Sequence, residues 1–155
     1  MDDPLLLHFM NQWRFVRGLT LDLLRSIPND QLERSPGNDL GPWWKQFRHI
    51  GRVQENYLDA MISGTVKFGF EGASYRSGPS NADLAIYLRH LDNRLNSLIQ
   101  TGRHCKTVDW FGKPKSVGSH LLCLADHEIL HHGQWITYRR MLGGNFPESW
   151  RAWGL

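Results

Sequence analysis

The sequence predicts an all-α protein, a four-helix bundle. Three observations carry that expectation. Four long segments repeat apolar side chains at three- and four-residue steps, proline and glycine punctuate their ends, and no stretch alternates as a convincing strand would. Four amphipathic helices with no sheet to cover bury their stripes against one another. At 155 residues the chain suits a single domain spanning 1–155, long enough to form a core without disulfides.

The first segment runs from about Pro4 to Ile27. Leu5, Leu6, Phe9, Trp13, Val16, Leu23, Leu24 and Ile27 stack on one face, Pro4 suits a first helical turn, and Pro28 stops the pattern. The second starts near Pro42 and ends near Gly64, with the stripe Trp43, Phe47, Ile50, Tyr57, Met61 and Ile62. Residues 64–80, rich in glycine and serine and holding Pro79, read as a long connection between the second and third helices. The third segment follows the cap candidates Ser80 and Asn81. It carries Leu84, Tyr87, Leu88, Leu91, Leu95, Leu98 and Ile99, and Gly102 is a natural residue just past its end. Residues 103–115 look irregular, and Lys106 to Phe111 is the nearest approach to a strand. The fourth segment runs from about Ser116 to Leu142, with Val117, Leu121, Leu124, Trp135, Tyr138 and Leu142 as its stripe and Gly143-Gly144 after it.

Composition narrows the chemistry. Eighteen basic residues against fifteen acidic ones leave a formal charge of +3, spread without a basic stripe, so nucleic acid is not an expected partner. The longest apolar run, Leu121 to Ala125, is far too short to span a bilayer, and no membrane partner is expected. The opening Met-Asp-Asp-Pro shows neither a basic n-region nor an apolar h-region, and Cys105 and Cys123 fit no redox spacing. The expected location is cytoplasmic, with both thiols reduced. Two cysteines cannot build a cysteine-rich metal site, so any metal chemistry rests on the eight histidines.

Three of these lie in Asp126-His127-Glu128-Ile129-Leu130-His131-His132-Gly133-Gln134. Residues four apart share a helix face, so His127 and His131 can aim at one point, the usual way a helix supplies two ligands to one ion. His120 lies seven residues before His127 and shares that face, Gln134 flanks His131, and Cys123 lies four before His127. His132 is rotated by about 100° and is expected to be exposed. On spacing alone, His127 and His131 read equally well as ordinary polar residues bonded to their neighbours. The segment also matches His-Glu-x-x-His, in which Glu128 would be the general base of a zincin-type metalloprotease. The extended form of that motif fails here, because Gly133 is one position early and Thr137 stands where its third histidine belongs.

The run His127-Glu-Ile-Leu-His131-His-Gly-Gln134 resembles the His-x-x-x-His-x-Gly-Gln signature of the DinB/YfiT-like superfamily. Phe47-Arg-His49-Ile in the second segment resembles that family's other histidine motif, and Pro147-Glu-Ser-Trp150-Arg-Ala-Trp153-Gly-Leu is similar to its tails. The resemblance covers essentially the whole chain. It implies a four-helix bundle with one divalent metal ion held by His49, His127 and His131. By periodicity alone His49 is a flank residue beside Val53, Asn56 and Ala60.

Three imidazoles leave a coordination position open, as catalytic zinc sites do. The resemblance therefore implies a metal-dependent enzyme, either a thiol-dependent S-transferase or a hydrolase acting on a small molecule, with a low-molecular-weight thiol as a candidate substrate. Zinc is the first expectation, with nickel, iron, manganese and cobalt as alternatives. Relatives are often dimers, so a homodimer is expected. Gln134, His120, Asn56 and Asp126 are candidates to orient the ligand rings, and Glu128 is the candidate general base. Trp13, Trp135, Tyr57 and Tyr138 are candidates for a pocket wall, although aromatics at helical spacing also read as core. The competing class is a non-catalytic bundle that binds a small ligand or a partner and whose histidines are structural. His8, His90 and His104 read as ordinary.

Overall fold

The computed structural model describes residues 3–37, 39–69 and 74–155. Helix α1 spans Pro4–Ser26. Its first turn is capped by Asp3, whose carboxylate accepts from the Leu5 amide, and Pro4 sits where a missing N–H costs nothing. Helix α2, Trp43–Ser63, follows Pro42 and closes on Gly64 at φ 78°. Helix α3, Asn81–Thr101, is capped by the Ser80 hydroxyl accepting from the Asp83 amide. Helix α4, Val117–Leu142, starts in the same way, with Ser116 accepting from Ser119. A 3-10 helix, Glu148–Trp153, closes the chain. The four helices lie where the periodicity placed them. Of the connection at 64–80, residues 70–73 lie outside the described residues.

Helix α4 packs chiefly on α1 and α2, and α2 also packs on α3. Phe9, Leu23, Phe47, Leu58, Leu88, Leu95, Leu121 and Trp135 are fully buried at the centre. Leu5 and Ile62, assigned to the apolar stripes by periodicity, instead sit at their edges and are exposed. The tail is anchored by Trp150, which is fully buried and whose indole donates to the Leu19 carbonyl at 2.9 Å. No helix among the described residues is long and apolar enough to cross a membrane.

The expectation of no strand is corrected. Strands β1 (Thr107–Trp110) and β2 (Lys113–Ser116) form an antiparallel hairpin, with Trp110 opposite Lys113. Its two-residue loop, Phe111-Gly112, has both residues at positive φ (53° and 85°), as a type I′ turn requires. The Gly112 amide also donates to the Asp109 carboxylate. The hairpin is held to the end of α2 by paired backbone bonds, Val66 to Asp109 at 3.0 Å and Asp109 to Gly64 at 2.8 Å. Pro114 is tolerated because β2 is an edge strand.

Candidate metal centre

His49 comes from the second turn of α2, and His127 and His131 come from one face of α4 where it packs on α2. The ring centroids lie 5.3 Å apart for His49–His127, 5.0 Å for His49–His131 and 4.7 Å for His127–His131. One potential ligand nitrogen from each ring falls within 4.8 Å of the other two. His131 is buried, while His49 and His127 are partly exposed. Among the described residues no cysteine, aspartate or glutamate joins the group.

The environment holds these rings neutral. Burial, then the charge of His49, lowers the pKa of His127 to about 4. Burial, then the charges of His127, His49 and His132, lowers that of His131 to about 3, with Gln134 acting in the opposite direction. Burial and the neighbouring Arg48 charge lower His49 as well. A neutral imidazole is the ligand form, so the rings need lose no proton to bind an ion at neutral pH. Nδ1 of both His127 and His131 is buried without a hydrogen-bond partner among the described residues. Buried polar atoms are normally satisfied, so two orphaned ring nitrogens in one cluster fit a divalent ion. The donor set fits too, since neutral imidazole is the commonest metal ligand.

A cavity of about 760 Å³ opens beside the triad, with His49 and His131 in its wall. Gln134 and Thr137 of α4 and Gln46 of α2 present polar groups to it. Tyr138 is fixed at its edge, accepting from Gln46 at 3.1 Å and donating to the Gly41 carbonyl at 2.9 Å. Of the four aromatics expected as wall candidates, only Tyr138 lines this space. Trp135 is fully buried and packs between Phe47 and His131, Trp13 donates to Asp92 in the core, and Tyr57 stacks on His120.

Several expected site residues lie elsewhere. Glu128 is the main correction. It is fully buried on the side of α4 that faces α1, where its carboxylate meets Arg17 Nη2 at 3.0 Å and accepts from Thr20 Oγ1 at 2.5 Å. Burial raises its pKa, against the pull of Arg17 and Thr20. It does not line the cavity, so the geometry supplies no zincin-type general base. The sheet in the described residues is one two-stranded hairpin, which offers no extended edge beside the triad.

His132, expected to be exposed, is buried. Its Nδ1 accepts from Trp153 Nε1 at 3.2 Å, which leaves the proton on Nε2 to be donated to Thr20 Oγ1 at 2.8 Å. His120, also buried, accepts from Trp110 Nε1 at 2.9 Å and faces the Tyr57 carbonyl at 3.0 Å. It joins the hairpin to the bundle and does not orient a ligand ring. Asn56 donates to Gly69 at 3.4 Å, away from the triad, and Asp126 is exposed. Cys123 accepts from Lys115 Nζ at 3.1 Å. Gln134 alone of these candidates stands beside a ligand ring. Lys45, Arg48 and Arg52 also line the cavity, so the expectation that the basic residues form no stripe is corrected for this face of α2. Their steps of three and four residues around His49 were the available signal.

Fold and site together define the class: a four-helix bundle whose α2 and α4 bring three histidines together beside a cavity. The chain belongs to the DinB superfamily, which matches it over residues 12–135. Its fold is similar to that of a DinB-like protein from Bacillus subtilis, with 18% identity and a TM-score of 0.68 over 92% of this chain and 96% of that one. It is also similar to a DinB-like protein from Bacillus cereus, with 20% identity and a TM-score of 0.73 over 90% of this chain and 93% of that one. No relative was found among curated proteins.

Proposed function

We propose that this protein is a metal-dependent enzyme acting on a small molecule, with one divalent ion held by His49, His127 and His131. The observation that carries the reading is the convergence of three neutral imidazoles, two of them with buried unpartnered nitrogens, at the wall of a cavity of ligand size. Three protein ligands leave a position for water or substrate, whereas structural zinc is normally closed by four. When bound, such an ion lowers the pKa of a coordinated water or thiol and so supplies a nucleophile near neutral pH. The chain's own residues do the rest. The imidazoles hold their positions without first releasing protons, and Tyr138, fixed by Gln46 and Gly41, keeps the cavity edge in place. Gln134 and Thr137 offer hydrogen bonds to an occupant. The class of reaction best matched to this arrangement is S-transfer from a low-molecular-weight thiol or hydrolysis of a small substrate.

The test is metal analysis of untagged protein, with anomalous scattering to locate the ion. The expected result is one zinc or other first-row divalent ion per chain, absent from the His127→Ala and His131→Ala variants. Protein that carries no metal and takes none up on titration would overturn the reading in favour of a non-catalytic bundle.

A further inference from the structure

Among the described residues, cations predominate in the wall of the cavity beside the triad. Lys45, Arg48, Arg52 and Arg76 line it, and among the described residues Asp39 is the single carboxylate in its wall. Arg52 is tied down, its Nε donating to the Gly69 carbonyl at 2.7 Å and its Nη1 meeting Glu55 at 2.9 Å. The other three differ. Among the described residues, none of Lys45, Arg48 and Arg76 is ion-paired with a carboxylate. Arg48 lies over the Trp44 ring with its guanidinium carbon 4.9 Å from the centroid, and Lys45 Nζ lies 5.8 Å from the same centroid. One indole therefore serves as a platform for two cations a turn apart on α2. Like charges at that spacing weaken a helix unless something neutralises them. Solvated cations are common on surfaces, but here they converge on one concave space that also holds His49, which shares their stripe.

We infer that the cavity takes an anionic small molecule, a carboxylate or a phosphate ester, whose charged group rests on Arg48 and Lys45 while the rest of it extends toward the three histidines. Guanidinium matches either group with paired N–H donors, lysine adds a point charge, and a concave wall in which one sign predominates strengthens the attraction. This names the substrate class of the site proposed above and rests on that reading only for the role of the ion.

The experiment is a two-dimensional amide NMR titration of the full chain with succinate, inorganic phosphate and the neutral analogue succinamide, with and without zinc. The expected result is a saturable shift of amides in 45–52 and 134–138 with succinate or phosphate, and none with succinamide. The anion that binds more tightly identifies the preferred headgroup. Arg48→Gln should weaken that binding about tenfold or more. Lys45→Gln serves as a second variant and should weaken it in the same direction. The inference is overturned if succinamide shifts the same amides as much as succinate, if neither anion shifts them, or if both variants bind as wild type does. Zinc-induced shifts at His49, His127 and His131 are read on the same samples. Loss of metal binding with anion binding intact would therefore defeat the enzyme reading and leave this inference standing.

Discussion

His131 and His132 are neighbours in sequence and serve different faces of α4. The His131 ring faces His49 at 5.0 Å between centroids, whereas His132 Nε2 lies 2.8 Å from Thr20 on α1. One residue of helical rotation separates a candidate metal centre from a buried polar network that joins His132, Thr20, Glu128 and Arg17. The network continues from Arg17 to Gln54 and from Gln54 to Asp92, reaching all four helices.

Metal binding should stabilise the fold. An ion that binds only the folded chain adds about 2.7 kcal/mol at a free concentration one hundred times its Kd. For a domain of this size that is an increase in Tm of about 5–10 °C. Calorimetry of the metal-free protein with and without zinc checks this. The increase should vanish in His131→Ala and be reversed by a chelator in the wild type.

Glu128→Gln should separate the network from the metal centre. Removing one partner of a buried ion pair leaves the other charge uncompensated, at a cost of about 3 kcal/mol or more, and the Asp92 carboxylate 3.6 Å from Arg17 Nε offsets only part of it. Zinc affinity, read by competition with a chromophoric chelator, should change less than about twofold because Glu128 makes no contact with the triad. An unchanged urea midpoint together with a large loss of zinc affinity would contradict this assignment.

His120 should give the protein a distinct pH dependence. Trp110 can only donate, so Nδ1 accepts and the proton sits on Nε2, facing the Tyr57 carbonyl. A second proton would have to enter at Nδ1, against the indole N–H. Burial lowers the pKa below its ordinary value of 6.5, helped by the nearby Lys115 charge and opposed by the bond to Tyr57. The unfolded chain therefore takes up this proton first as pH falls. Stability is intact above about 6.5 and declines as pH falls from there toward the folded value. Urea unfolding between pH 7.5 and 5 should show a wild-type decline steeper than that of His120→Gln by up to about 1.4 kcal/mol per pH unit.

How much was legible in the sequence follows from these cases. The four helices were legible because each buries one stripe, and proline or a hydroxyl cap marks where it begins. The pair His127 and His131 was legible because both ligands lie on one helix. His49 was legible only through the resemblance of Phe47-Arg-His49-Ile to a family motif, because convergence between helices depends on packing and its periodicity places it on a flank. Glu128 and His132 were misread for a related reason. Helix α4 is covered on more than one side, so polar residues outside its apolar stripe are buried against α1 rather than exposed. Lys106 to Phe111, the nearest approach to a strand, contains β1, but the hairpin itself was not legible because its strands are four residues long, one contains Pro114, and its turn is Phe-Gly where Asn-Gly would have signalled it.

The start of α4 makes a last prediction about packing. Gly118 donates its amide to Asp3 at 3.0 Å, so the first turns of α1 and α4 are tied together by the same carboxylate that caps α1. A Cβ at position 118 would fall 2.7 Å from Leu5 Cβ, 2.7 Å from the Leu6 backbone nitrogen and 2.7 Å from Asp3 Oδ2. Because one of these is backbone, the contact cannot be relieved by a rotamer change, and the helix ends must separate. Gly118→Ala should therefore cost about 1–3 kcal/mol, even though alanine is the better helix former. Gly133→Ala on the same helix, where a Cβ meets nothing within 4 Å, should instead stabilise by up to about 1 kcal/mol. Paired urea denaturation of the two variants checks this: equal changes of the same sign would show that close approach, not helix propensity, has been misjudged at position 118.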